Sequence, residues 1–197
     1  GVEVSVNGDL SNYIGVVSAE EGDISLSANA VDTHGGFMMG QNISLDAKAS
    51  VNTTRSLVLA SEKLTIHAGG NVDNRDGNRF GNDFGLYFDM PQQTGGLIGK
   101  GGVEISGQNI YNNNSRIIAE NGPMSLQAKG NIDNTRALMV SGADTAIKTG
   151  GAFYNNYATI SSGGNLTLDT VSLENYSSGT LIDNNATGFI NSEKDLT

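Results

Sequence analysis

Cysteine and tryptophan are absent from this 197-residue chain, proline occurs twice, and charged residues make up only 16% of it. Without cysteine there is neither a disulfide framework nor a thiolate zinc site. Cations are scarce as well. Eleven Lys and Arg stand against 21 Asp and Glu, for a formal net charge of −10, and that field repels phosphate backbones and anionic lipid. Neither nucleic acid nor membrane insertion is expected of this segment. No run approaches the roughly 18 apolar residues of a membrane span, and no signal peptide precedes Gly1. The chain begins and ends inside a repeating pattern and reads as an excerpt from something longer.

What the chain has is glycine, 27 residues of it, with abundant Asn, Ser and Thr. This composition disfavours long helices and suits many short strands joined by turns. Self-similarity gives the arrangement. Segments 48–68, 108–128, 129–149 and 150–170 align without gaps at about 21 residues each. Their fourth places hold Val51, Tyr111, Ile132 and Phe153, their eleventh Val58, Ile118, Met139 and Ile160, and their nineteenth Ile66, Leu126, Ile147 and Leu168. Two looser copies end in "GDISLSA" at Ala28 and "QNISLDA" at Ala47, and a longer one, 69–107, ends in "GGVEISG". Pairs such as Ile24 with Leu26 or Leu166 with Leu168 alternate with polar residues, as a strand with one buried face does. Helical periodicity is absent.

A 21-residue unit cannot bury its own apolar face, so the copies must stack. Two or three short strands per unit suit one coil of a parallel β-helix, an all-β solenoid in which coils rise by about 4.8 Å. Roughly nine coils would make a rod about 40 Å long. The phrases "GNVDN" from Gly70 and "GNIDN" from Gly130 then mark a corner. Asn12, Asn74, Asn113, Asn134 and Asn155 fall just after an inward residue, and a stacked ladder of their amides is expected, with Asn adopting the left-handed conformation of the turn.

"GDLSN" from Gly8, "GNVDN", "GNIDN" and the strand endings "GDISLSA" and "GGNLTLDT" resemble the filamentous haemagglutinin repeat of bacterial two-partner-secretion exoproteins. The resemblance covers nearly the whole chain. It implies a right-handed parallel β-helix forming residues 1–197 of a longer filament, exported with an outer-membrane secretion partner and secreted or held at the bacterial cell surface. Such proteins act as adhesins or as contact-dependent growth inhibition proteins, which recognise a cell-surface receptor and carry a C-terminal toxin. Neither the family's secretion domain nor a toxin-like domain is matched here.

Function is then to be sought where copies differ. The copy at 69–107 has 39 residues where 21 would do, and the surplus is best placed at 76–93. An insertion in a solenoid leaves the coil as a loop on one face. This one carries Arg79, Phe80, Phe84, Tyr87, Phe88 and Met90, the residue types of binding anchors. They form a candidate loop for a receptor that could be an outer-membrane protein, a glycan or a host protein. The competing reading has the aromatics fold back over a flank of the rod. Residues 171–197 fit the repeat poorly and are expected to be irregular coils.

Other chemistry finds little support. "DNRDGNRFGND" lacks the spacing of a calcium loop, and "GGLIGKGG" lacks the first Gly and the Ser or Thr of a phosphate loop. His34 and His67 sit in different contexts without partnered ligands. Asp73 and Asp133 recur at one coil position, as a polysaccharide-acting β-helix enzyme would require, but beside the corner, where turn chemistry is their expected role. No catalytic residue, metal or cofactor is assigned. The readings that remain are a rod segment presenting a receptor-binding loop and a passive spacer.

Overall fold

The computed structural model describes residues 1–81, 95–177 and 188–197. Each strand pairs in parallel with its equivalent one coil away, and the pairings build three sheets of eight strands each. The first sheet comprises Val2–Ser5, Ile24–Ala28, Ile43–Ala47, Lys63–Ala68, Gly102–Gly107, Met124–Ala128, Thr145–Thr149 and Leu166–Asp169. The second is made of shorter strands: Leu10–Ser11, Val31–Asp32, Val51–Asn52, Val72–Asp73, Ile110–Tyr111, Ile132–Asp133, Ala152–Tyr154 and Ser172–Glu174. The third contains Val16–Ser18, Phe37–Gly40, Leu57–Ala60, Gly96–Gly99, Arg116–Ala119, Leu138–Ser141, Thr159–Ser162 and Phe189–Ser192. The chain visits them in this order and returns to the first. The result is a parallel β-solenoid of eight coils, one fewer than the sequence estimate.

Alternation within each strand places the core. Ile24, Leu26 and Ala28 point inward while Ser25 and Ser27 face out. Parallel pairing then stacks like on like. Leu26, Leu45, Ile66, Ile105, Leu126 and Ile147 form one inward column of the first sheet. Val31, Val51, Val72, Ile110, Ile132 and Phe153 form that of the second. Met38, Val58, Leu97, Ile117, Met139 and Ile160 form that of the third. Each is buried to within 2%, and such burial stabilises by about 2 kcal/mol per side chain. Among the described residues, the large hydrophobics left most exposed lie in the first and last coils, Tyr13 and Val171 among them. Those coils have a neighbour on one side only.

One coil departs from the sequence alignment. Ile110, not Tyr111, stacks on Ile132, and Ile117, not Ile118, stacks on Met139. Alignment at Leu126 and Ile147 is unaffected. One additional residue, in the turn before Pro123, lengthens this coil, and a gapless repeat count shifts everything upstream by one. That slip exchanges inward for outward residues because the strand period is two.

The same slip misassigns the corner ladder: the rung is Asn112, not Asn113. Polar side chains, buried from Thr33 to Asn155, stack down the turn between the second and third sheets. Asn12 Nδ2 donates to Thr33 Oγ1 at 3.1 Å, and Thr53 Oγ1 donates to Asn74 Oδ1 at 3.1 Å. From there the amides follow one another: Asn74 to Asn112 at 2.7 Å, Asn112 to Asn134 at 2.7 Å, Asn134 to Asn155 at 2.8 Å and Asn155 to Asn175 at 2.8 Å. The second hydrogen of each amide also reaches the next coil, from Asn74 to Arg116 O, Asn112 to Leu138 O, Asn134 to Thr159 O and Asn155 to Phe189 O. Rungs are 20 to 22 residues apart, except that Asn74 and Asn112 are separated by 38.

Asn112→Ala leaves a donor of Asn74 and the acceptor of Asn134 unsatisfied in the core, so a loss of about 2–4 kcal/mol is expected. Asn113→Ala, on the outside, is expected to change stability by less than about 0.5 kcal/mol. Urea denaturation of both variants checks the register, and equal losses would refute it.

Candidate interaction site on the second corner

Just after each rung the backbone turns through the left-handed region. Ile14, Gly35, Arg55, Asp76, Asn114, Arg136 and Tyr157 have φ between 50° and 66°, each two residues beyond its rung. The rung asparagines themselves are therefore not the left-handed residues expected of them: their side chains must point inward to stack, and the reversal falls on the outward-facing position that follows. The residue before the rung caps the turn. Asp32 Oδ1 accepts from the His34 N–H, Asn52 Oδ1 from Thr54, Asp73 Oδ1 from Arg75 and Asp133 Oδ1 from Thr135, at 3.0 to 3.2 Å. The recurring Asp73 and Asp133 are engaged in turn closure.

Outward side chains cluster along this corner. Arg75 grips Asp73 with two bonds, Nε to Oδ1 at 2.8 Å and Nη2 to Oδ2 at 2.5 Å, which hold its guanidinium above the ordinary arginine value. The same guanidinium lies 5.5 Å from the Tyr111 ring centroid, within cation–π range. With Ser50, Val51, Asn52 and Asn71 these three residues line an open groove of about 550 Å³. Farther along, Arg136 lies 5.7 Å from the ring of Tyr157, which meets Tyr176 edge-on at 5.4 Å. Desolvation, with the Tyr176 phenol adding to it, raises the pKa of Tyr157. In the opening coils the rings of Tyr13 and His34 meet at a tilt of 37°, with centroids 5.5 Å apart.

The long coil departs from the same corner. Asp76 makes the left-handed turn, Gly77–Arg79 forms a single 3-10 turn, and the third-sheet strand resumes at Gly96. The ends of the excursion meet. Gly95 N–H donates to Gly77 O at 2.7 Å, Arg116 Nε donates to Gly95 O at 2.8 Å, and Gly96 N–H bonds Ser56 O one coil below at 2.7 Å. Partial burial here pulls the Arg116 guanidinium down from its usual value.

Of the residues proposed for recognition, Arg79 is exposed but Phe80 is not an exposed anchor. It is 3% exposed and packs with Leu57 against Phe37, Leu59, Ile98 and Ile14, its ring centroid 6.3 Å from that of Phe37. The outward side of the third sheet is apolar at this point, and Phe80 covers it. Phe84, Tyr87, Phe88 and Met90 lie outside the described residues. Sequence reasoning missed the groove. Its usable signal was the run "YNNN" from Tyr111: with Asn112 as the rung, Tyr111 falls in the outward column of Asp73 and Asp133.

His67 is remote from the corner. Its Nδ1 lies 2.8 Å from Ser106 Oγ and its Nε2 4.0 Å from Glu104 Oε1, on the outer face of the first sheet. A hydrogen bond from Lys63 holds the Glu104 carboxyl below the usual range. Among the described residues no group of three or more His, Asp or Glu is arranged to hold a metal.

Comparison with known proteins adds one finding. The haemagglutinin repeat family matches residues 1–76, 91–136 and 101–197. Between them these segments omit 77–90, within the excursion. Neither a curated protein nor a solved structure matches the chain.

The base of the excursion tolerates no side chain at Gly95, where a Cβ would lie 2.2 Å from Ser56 O and 2.5 Å from Phe80 Cβ. Gly95→Ala is expected to cost about 1–3 kcal/mol and to raise proteolytic cleavage near 77–95. Unchanged stability and cleavage would show that these contacts do not clamp the base.

Proposed function

This chain belongs to the haemagglutinin repeat family, an adhesin-type structural repeat, and on that premise we propose that it is a rod segment of a bacterial two-partner-secretion exoprotein, displayed at the cell surface, whose excursion presents a loop to a receptor on a target cell. The observation that carries the reading is the 38-residue rung interval in a ladder otherwise spaced at 20 to 22. Sixteen to eighteen residues are added without disturbing the rungs on either side, at a corner where the chain leaves and returns through one hydrogen bond. Surface loops on a rigid scaffold are where binding residues concentrate. The added stretch is rich in Phe and Tyr, and its charged residues include Arg79.

The rod itself fits delivery at a distance. Eight coils span about 34 Å at the spacing of paired strands, and more coils extend the reach without new design. The uniformity of the other coils favours a second reading, a passive spacer. Whether the whole protein is an adhesin or a growth-inhibition exoprotein with a toxin turns on segments other than this one. Recognition by this segment needs no catalysis, and the recurring acids of the corner are engaged in turns.

Replacing 82–94 with a short Gly-Ser linker keeps Phe80 and Gly95, and hence the base. Binding of the purified protein to Gram-negative and cultured epithelial cells is expected to fall at least tenfold in this variant while circular dichroism stays unchanged. Equal binding by both forms would remove the loop from recognition, and no binding by either would favour the spacer.

A further inference from the structure

The cationic side chains of this chain are sorted by type around the rod. All five arginines lie at the second corner or at the base of the excursion: Arg55, Arg75 and Arg136 within two residues of a rung, Arg79 in the 3-10 turn that opens the excursion and Arg116 bonded to Gly95. All six lysines lie elsewhere. Lys48 and Lys129 follow first-sheet strands, Lys63 and Lys148 are on the first sheet, and Lys100 and Lys194 follow third-sheet strands. Tyrosine follows arginine. Tyr13, Tyr111, Tyr154, Tyr157 and Tyr176, five of the six in the chain, are within two residues of a rung.

Within two residues of a rung, three arginines stand beside five acids, Asp32, Asp73, Asp76, Asp133 and Glu174, so the corner gathers no cationic surplus. Backbone conformation points the same way. The left-handed positions suit Gly or Asn, yet Arg55, Arg136 and Tyr157 occupy three of them at φ of 52° to 58°. Side chains held at a backbone cost, Arg136 among them exposed to solvent, call for a use beyond folding.

We infer that the second corner is a longitudinal binding edge, running the length of the rod and recognising the surface of a folded protein. This rests on the reading of the chain as a receptor-binding segment and names the surface and partner class. Enrichment in Tyr and Arg with depletion of Lys is the composition of protein–protein contacts. A polyanion would be met by a surplus of cations, and here the acids beside the rungs outnumber the arginines. Eight coils at the spacing of paired strands give this edge a length of about 34 Å.

The test uses a variant that should be no less stable than the parent. Arg136→Asn with Tyr157→Asn puts a residue suited to the left-handed region at both positions. Lys129→Asn, from the opposite corner, is the charge-matched control. Binding to the target cells is measured before and after trypsin treatment of their surface, with and without heparin as competitor. The expected result is at least tenfold weaker binding by the corner variant, with Tm equal or higher, wild-type binding by the control, and binding that trypsin abolishes and heparin leaves unchanged. Corner-variant binding at the parent level overturns the binding edge while leaving the receptor-binding reading in place. Binding that survives trypsin or is competed by heparin overturns the protein partner. Failure of the parent itself to bind any cell overturns the receptor-binding reading and, with it, the edge.

Discussion

A primary amide buried at a corner has two hydrogens to place, and here both go to the following coil. Asn112 gives one to Asn134 Oδ1 and one to Leu138 O, and Asn74, Asn134 and Asn155 repeat the arrangement. An unsatisfied buried amide is costly, so each rung requires the next coil to turn at the same height and in the same register. Strand pairing alone would permit a slip of one residue with small loss of hydrogen bonds. The ladder and the inward columns together forbid it.

This constraint explains where the chain can vary. Between rungs, coils differ in length by a residue or two, taken up at other turns such as the one before Pro123. The excursion enters after the left-handed Asp76 and is back by Gly96, so neither rung nor strand moves. Its ends are tied by the Gly95–Gly77 bond and by Arg116, and Phe80 seals the third sheet beside it. Added chain is cheap when its two ends are already together.

Rigidity also sets what the corner offers. Outward residues next to the rungs are spaced by the strand separation and oriented by a fixed turn, while the first sheet presents Ser25, Asp46, Lys148 and Thr167 to solvent. The second corner instead carries the Arg75–Tyr111 and Arg136–Tyr157–Tyr176 clusters. Display of planar, hydrogen-bonding side chains on an inflexible edge lowers the entropy lost on contact. The adhesin-type family and the geometry of this edge are consistent with each other.

Fold class was legible in the chain because a short apolar repeat has few ways to bury itself. Period-two alternation gave the strands, the repeat length gave the solenoid, and Asn after an inward residue gave the corner. The register of one coil was not legible, since three consecutive asparagines, Asn112, Asn113 and Asn114, offer equivalent letters and only pairing to Asn74 and Asn134 selects the first of them. Nor was the fate of Phe80, which depends on Phe37 and Leu57 in neighbouring coils. The sequence alone determined that these units must stack, because none can form a core by itself. Only the tertiary structure decided which residues share an edge, because Arg and Tyr scattered through the chain come into line when coils of unequal length are brought to one height by the ladder.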